Sequence, residues 1–111
     1  MRVEDMVNEL CQLITERTNK AYNNNSEFLP LVDYGKNGVI DAVYIYDRSI
    51  GTYATFQSEH SPLLFEIWYN DDANDYVVSF CKSEAQKDLA FDTACAVKLA
   101  EVMKALRLEI I

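Results

Sequence analysis

The hydrophobic period of this chain changes twice along its length, and that change limits the fold more than any single motif. Over residues 3–20, Val3, Met6, Val7, Leu10, Leu13 and Ile14 recur at three- and four-residue spacing, the mark of a helix with one apolar face. Short runs rich in β-branched and aromatic residues then follow, broken by turn signals. Beyond residue 83 the helical period returns. Leu89, Phe91, Cys95, Ala96, Leu99, Val102, Met103 and Leu106 cover one broad face.

The boundaries have local causes. Glu4 and Asp5 lie in the first turn of the first helix and Arg17 and Lys20 near its end, both favourable to the helix dipole. Asn23-Asn24-Asn25-Ser26 then stops it. Five strands are predicted: Phe28–Tyr34, Val39–Tyr46, Thr52–Gln57, Leu63–Tyr69 and Asp75–Cys81. Pro30 pushes the first toward a sheet edge. Gly35-Lys36-Asn37-Gly38, Asp47–Gly51, Ser58–Pro62 and the polar turn from Asn70 to Asn74 separate them. Ser83 and Gln86 have the spacing of a capping box, so a long helix is predicted from there to about Leu106. Leu108–Ile111 is an apolar tail.

Both helices have an apolar stripe that must be buried. The simplest solution is an α+β fold with an N-terminal helix, a five-stranded mostly antiparallel sheet and a long C-terminal helix. Both helices pack on one sheet face, in a single domain spanning residues 1–111. A chain of 111 residues buries roughly two-thirds of its unfolded surface, enough for one core without metal or disulfides.

The net charge is −8, and it is unevenly placed. Residues 21–81 hold Glu27, Asp33, Asp41, Asp47, Glu59, Glu66, Asp71, Asp72 and Asp75 against only Lys36 and Arg48. Elsewhere acids and bases nearly balance. All seven tyrosines and Trp68 also fall in residues 21–81. If the helices cover one sheet face, the other meets solvent or a partner. Period-two alternation puts Leu63, Phe65 and Ile67 on the core side and Glu66 and Trp68 on the open side. Tyr53 alternates with the more core-like Ala54 and Phe56, so it joins the open side. Asp41 is a candidate for that side although Val43 and Ile45 share its parity. The acids of the last turn extend the patch. The candidate partner-binding residues are therefore Asp41, Tyr53, Glu66, Trp68, Asp71, Asp72 and Asp75. The plainer reading of the same residues is that tyrosine suits a half-exposed strand and acids keep a small protein soluble.

Catalytic chemistry is not legible. His60 is the one histidine, and no serine sits in a nucleophile elbow. No glycine-rich phosphate loop occurs. Asn70–Asp75 resembles part of a calcium loop but lacks its glycine, and Lys82 or Ser83 stands where the distal glutamate belongs. The expectation is a protein that is not an enzyme, with no cofactor and no metal site. Cys11, Cys81 and Cys95 include no close pair, so they read as small buried hydrophobes in a reducing compartment. Acids stand where a signal peptide needs bases, no apolar run approaches a membrane span, and neither end carries a lipidation motif. The location expected is the cytoplasm of a bacterium or host cell, with no membrane contact.

The acidic balance argues against direct nucleic-acid binding, which needs clustered bases to displace counterions. It suits a partner that is itself basic. The primary expectation is a protein-binding inhibitor or antagonist, with nucleic-acid mimicry as one mode. Its partner would be a basic protein or complex, such as a nuclease or a restriction or CRISPR-type complex. Nuclease immunity proteins and phage-borne inhibitors share this composition, though no motif ties the chain to them. The alternative is an escort or adaptor of a client polypeptide, like the acidic secretion chaperones. Those place a helix between the third and fourth strands, where only Ser58–Pro62 is available here. A homodimer is compatible with either.

Overall fold

The computed structural model describes residues 2–49, 62–81, 87–88 and 91–109. Helix α1 spans Val3–Tyr22 and buries Val3, Val7, Leu10, Cys11, Ile14 and Thr18 along one stripe. It ends where Asn23 enters the left-handed region at φ 51°, a conformation asparagine tolerates. The chain is then tied back. The Asn19 amide donates to the Ser26 carbonyl at 2.9 Å and accepts from Ser26 N–H at 2.7 Å. Thr15 Oγ1 accepts from Phe28 N–H at 3.0 Å while donating to the Cys11 carbonyl at 2.8 Å. The helix thereby fixes the start of the sheet.

Four antiparallel strands follow in simple meander order: β1 (Phe28–Tyr34), β2 (Ile40–Asp47), β3 (Leu63–Asn70) and β4 (Asp75–Phe80). The first has the predicted bounds. Five strands were expected; the described residues form four, and the predicted Thr52–Gln57 strand lies outside them. The β1–β2 turn needs Gly38, whose φ is +74°, and is closed by Gly38 N–H donating to the Gly35 carbonyl at 3.1 Å.

Two bulges set which side chains reach the core. Tyr34 pairs with Ile40 and Asp33 with Ala42, so Asp41 is an extra residue on β2. Ile40 is thereby turned into the core at 1% exposure, breaking the alternation that would have placed Asp41 there. Ile45 pairs with Phe65 and Tyr46 with Leu63, so Leu64 is extra on β3. Leu64 belongs to the core cluster and Leu63 does not. The expected set of Leu63, Phe65 and Ile67 is thus buried throughout, Leu63 at 6% exposure, but Leu64 takes the place of Leu63 in the cluster beneath the helices.

Helix α2 spans Thr93–Glu109. It begins about ten residues later than predicted, because Asp92 breaks the helical run. Its carboxylate accepts from Cys95 N–H at 3.1 Å, the bond of an N-cap. Lys87 and Asp88 are helical, and the turn between carries Phe91 back onto Phe80, ring centroids 4.6 Å apart. The Ser83 and Gln86 capping box lies outside the described residues.

One core joins all six elements. Val7, Leu10 and Ile14 of α1 meet Phe28 of β1, Val43 and Ile45 of β2, Phe65 and Ile67 of β3, Tyr76 of β4, and Cys95, Leu99, Val102 and Leu106 of α2. The buried Tyr76 hydroxyl is satisfied by donating to the Ile40 carbonyl. Cys11 and Cys95 are buried, as expected, while Cys81 is exposed, a correction that follows from its position just past the edge strand β4. Burial pushes the Cys11 thiol up to about 12 and, with the Asp92 charge, the Cys95 thiol up to about 11. Among the described residues, no helix is long and apolar enough to cross a membrane.

Candidate protein-binding face

With the helices on one side of the sheet, strand alternation sends a second set of side chains to the other. The register aligns them in rows. Asp33, Ala42, Trp68 and Val77 form one; Leu31, Tyr44, Glu66 and Ser79 form the next; Leu29, Tyr46 and Leu63 form a third. No lysine or arginine is among these eleven positions. Leu31 is 49% exposed and Asp33 is exposed, while Tyr44, Glu66 and Trp68 are half-buried. Each is held by a strand, and Ala42 and Leu63 of the same rows are buried, at 5% and 6% exposure.

The middle of this face holds two aromatics, Tyr44 and Trp68, diagonal to each other across β2 and β3, with Asp33 and Glu66 in the same rows. Trp68 Nε1 donates to Ser79 Oγ at 2.9 Å on the neighbouring strand, which fixes the indole across the β3–β4 pair. The Tyr44 phenol is pushed above its usual range, first by burial, then by the Glu66 and Asp33 carboxylates beside it. Tyr44 therefore stays a neutral hydroxyl between two negative charges. This arrangement accepts a cation well. A guanidinium stacks on an aromatic face and pairs with a carboxylate at once, at lower desolvation cost than an ammonium.

The sequence-predicted residues do not all converge here. Glu66 and Trp68 do. Asp41 is exposed at the β2 bulge, its carboxylate packed against Gly35, where a Cβ would sit 2.7 Å from Oδ1. Its charge acts on Tyr76, on the core side. Asp71 and Asp72 are exposed in the β3–β4 turn, which Asn70 Oδ1 braces by accepting from Asp72 N–H at 2.9 Å. Asp75 is engaged by Arg107 of α2 at 2.7 Å. That hydrogen bond, with one from Tyr76 N–H, holds its carboxyl below the usual range. Tyr53 lies outside the described residues, as does His60. Sequence reasoning passed over Asp33, Tyr44 and Leu31. The signal was available: Leu29, Leu31 and Asp33 alternate along β1 against Pro30 and Val32, and Tyr44 and Tyr46 alternate against Val43 and Ile45.

Concavities lined by described residues lie elsewhere. One, of about 430 Å³, is lined by Arg2, Glu4, Tyr34, Asn37, Gly38, Val39 and Glu109. In it the Tyr34 hydroxyl donates to Glu4, lowering the Glu4 carboxyl. Another, of about 640 Å³, runs between α1 and α2 past Leu13, Val97 and Lys98. Neither brings a nucleophile to a base. Among the described residues, no group of three His, Cys, Asp or Glu could hold a metal ion. The chain matches no protein-family model, no curated protein and no solved structure.

Proposed function

We propose that this protein is a non-catalytic binding module and that its open sheet face docks on a basic surface of another protein, as an inhibitor or antagonist of nucleic-acid-handling machinery. The observation that carries this reading is the Asp33, Tyr44, Glu66, Trp68 cluster, with exposed Leu31 beside it. Half-buried aromatics supply most of the affinity at protein interfaces, and uncompensated charge steers the encounter. Acids with no base among them on this face suit a partner rich in arginine and lysine, such as a cleft built to hold a phosphate backbone. The exposed pair Asp71 and Asp72, at one end of the β3–β4 hairpin, extends the negative field without needing direct contact.

The test is affinity capture from the cell in which the protein works, followed by binding kinetics with the captured partner. Asp33→Lys combined with Glu66→Lys is expected to slow association by about tenfold or more, an effect that added salt shrinks through screening. Capture of a basic, nucleic-acid-binding protein with that kinetic pattern supports the reading. A partner whose association ignores both substitutions places the interface elsewhere and sinks it.

A further inference from the structure

The two edges of the sheet differ in their free main-chain groups. In an antiparallel ladder every second residue points both N–H and C=O at its neighbour, and the residues between point outward. On the β1 side, Arg48 N–H donates to the Glu27 carbonyl at 2.8 Å, so residues 27, 29, 31 and 33 face β2 and residues 28, 30 and 32 face outward. That outward row is blunted. Phe28 N–H is taken by Thr15 Oγ1, and Pro30 has no N–H to offer. Only Val32 offers an outward donor before the bulge. Proline on an edge is a known guard against strand addition.

On the β4 side, Cys81 N–H donates to the Leu64 carbonyl at 2.9 Å. Residues 75, 77 and 79 therefore face β3, and Tyr76, Val78 and Phe80 face outward. Tyr76 N–H is met by the Asp75 carboxylate at 2.8 Å. Val78 and Phe80 N–H, and the carbonyls of Tyr76, Val78 and Phe80, have no hydrogen-bond partner among the described residues. Among the described residues, Phe91 and Lys87 lie over this strand, both against the Phe80 ring. The strand carries no proline, no lysine and no bulge, and Tyr76–Cys81 has no charged residue.

We infer that β4 is a dimerisation edge, occupied by β4 of a second copy of this chain in antiparallel, two-fold pairing centred on Val78. The row is complementary to itself. Val78 N–H meets the Val78 carbonyl of the second copy, and Phe80 N–H meets its Tyr76 carbonyl, each twice by symmetry. No like charges oppose one another, because the paired stretch is uncharged and Asp75 at its end is neutralised by Arg107. This matters in a chain of net charge −8, whose open sheet face would repel its own copy. One open edge and one guarded edge also give a closed pair, where two open edges would propagate into a fibre. The result is one continuous sheet that joins the four described strands of each copy and presents two copies of the acidic face.

The experiment uses the full chain. Light scattering after size exclusion is read over a dilution series from millimolar to sub-micromolar, and amide hydrogen exchange is read at both ends of that series. The expected result is a concentration-dependent mass of twice 12.7 kDa. Val78 and Phe80 amides gain protection on dimerising while core amides stay unchanged. Val78→Pro removes an outward donor and leaves the β3 ladder intact, so it should raise the dimer dissociation constant at least about tenfold, as the loss of two symmetric hydrogen bonds implies. If that variant fails to fold, the exchange comparison on the natural sequence still decides. A 12.7 kDa species at every concentration overturns the proposal. So does a dimer in which the Val78 and Phe80 amides exchange as fast as in the monomer.

Discussion

The helix layer and the open sheet face treat charge in opposite ways. On the helices three bases are matched at short range, while Lys20 and Lys104 are in none of these pairs. Lys98 pairs with Glu9 at 2.8 Å and Glu101 at 3.1 Å, Arg17 with Asp92, and Arg107 with Asp75 at 2.7 Å. These pairs link α1 to α2 and α2 to β4, so the charges there align elements with one another. On the sheet face Asp33 and Glu66 have a tyrosine between them and no base in their rows. A surface whose charges are matched internally has little left to offer a partner. A surface of one sign, built around rigid aromatics, does. That difference is why the proposed binding face is the sheet and not the groove between the helices.

Three experiments can break or sharpen this comparison. The largest effect tests the layering itself. Phe65 is 1% exposed and lies on the helix side of β3, so Phe65→Ala should cost about 3–5 kcal/mol of stability, measured by denaturant unfolding. A loss under about 1 kcal/mol would mean that the two faces of β3 are reversed. The next effect concerns Trp68, three residues along on the opposite face. Trp68→Ala should leave the domain folded by circular dichroism yet cost about 2 kcal/mol or more of binding to the captured partner. Unchanged affinity would remove the aromatic anchor from the interface.

The smallest effect probes the paired charges of the helix layer. Arg107 holds the Asp75 carboxyl below its ordinary range. A carboxyl lowered in the folded state adds stability above its unfolded pKa and loses that contribution as pH falls through its folded value. Arg107→Ala should therefore raise the Asp75 titration, followed by NMR, and lower the thermal midpoint slightly at neutral pH. The two proteins should converge below the carboxylate range. Because the pair is solvent-exposed, the change is small. An Asp75 titration that does not move would show the ion pair to be absent in solution.

Much of the fold follows from local pattern. Val3 to Ile14 specify α1 through spacing alone, and the asparagine run ends it where the left-handed Asn23 stands. Phe28–Tyr34, with its proline, reads as an edge strand and is one. Glu66 and Trp68 fall on the open face as alternation requires, because β3 is regular from Phe65 to Asn70. These features depend on neighbours within a few residues, so sequence carries them directly.

What only the tertiary structure decided depends on atoms far apart in the chain. The bulges at Asp41 and Leu64 shift strand phase by one residue, and a one-residue shift exchanges the two faces. No local signal in Ile40-Asp41-Ala42 or Leu63-Leu64-Phe65 announces that shift. It arises because Ile40 and Leu64 gain more by entering the core than the ladder loses locally. Charge partners are non-local in the same way. Asp75 was expected to face a partner, and Arg107 claims it from 32 residues away. Asp92 ends one helical run and starts another because its carboxylate can cap Cys95 N–H and meet Arg17 of α1 together. The sequence by itself determined the first helix, the four described strands and the body of the last helix, and that the sheet region is acidic. Packing decided which acids remain open to a partner, since burial and pairing are properties of the assembled core.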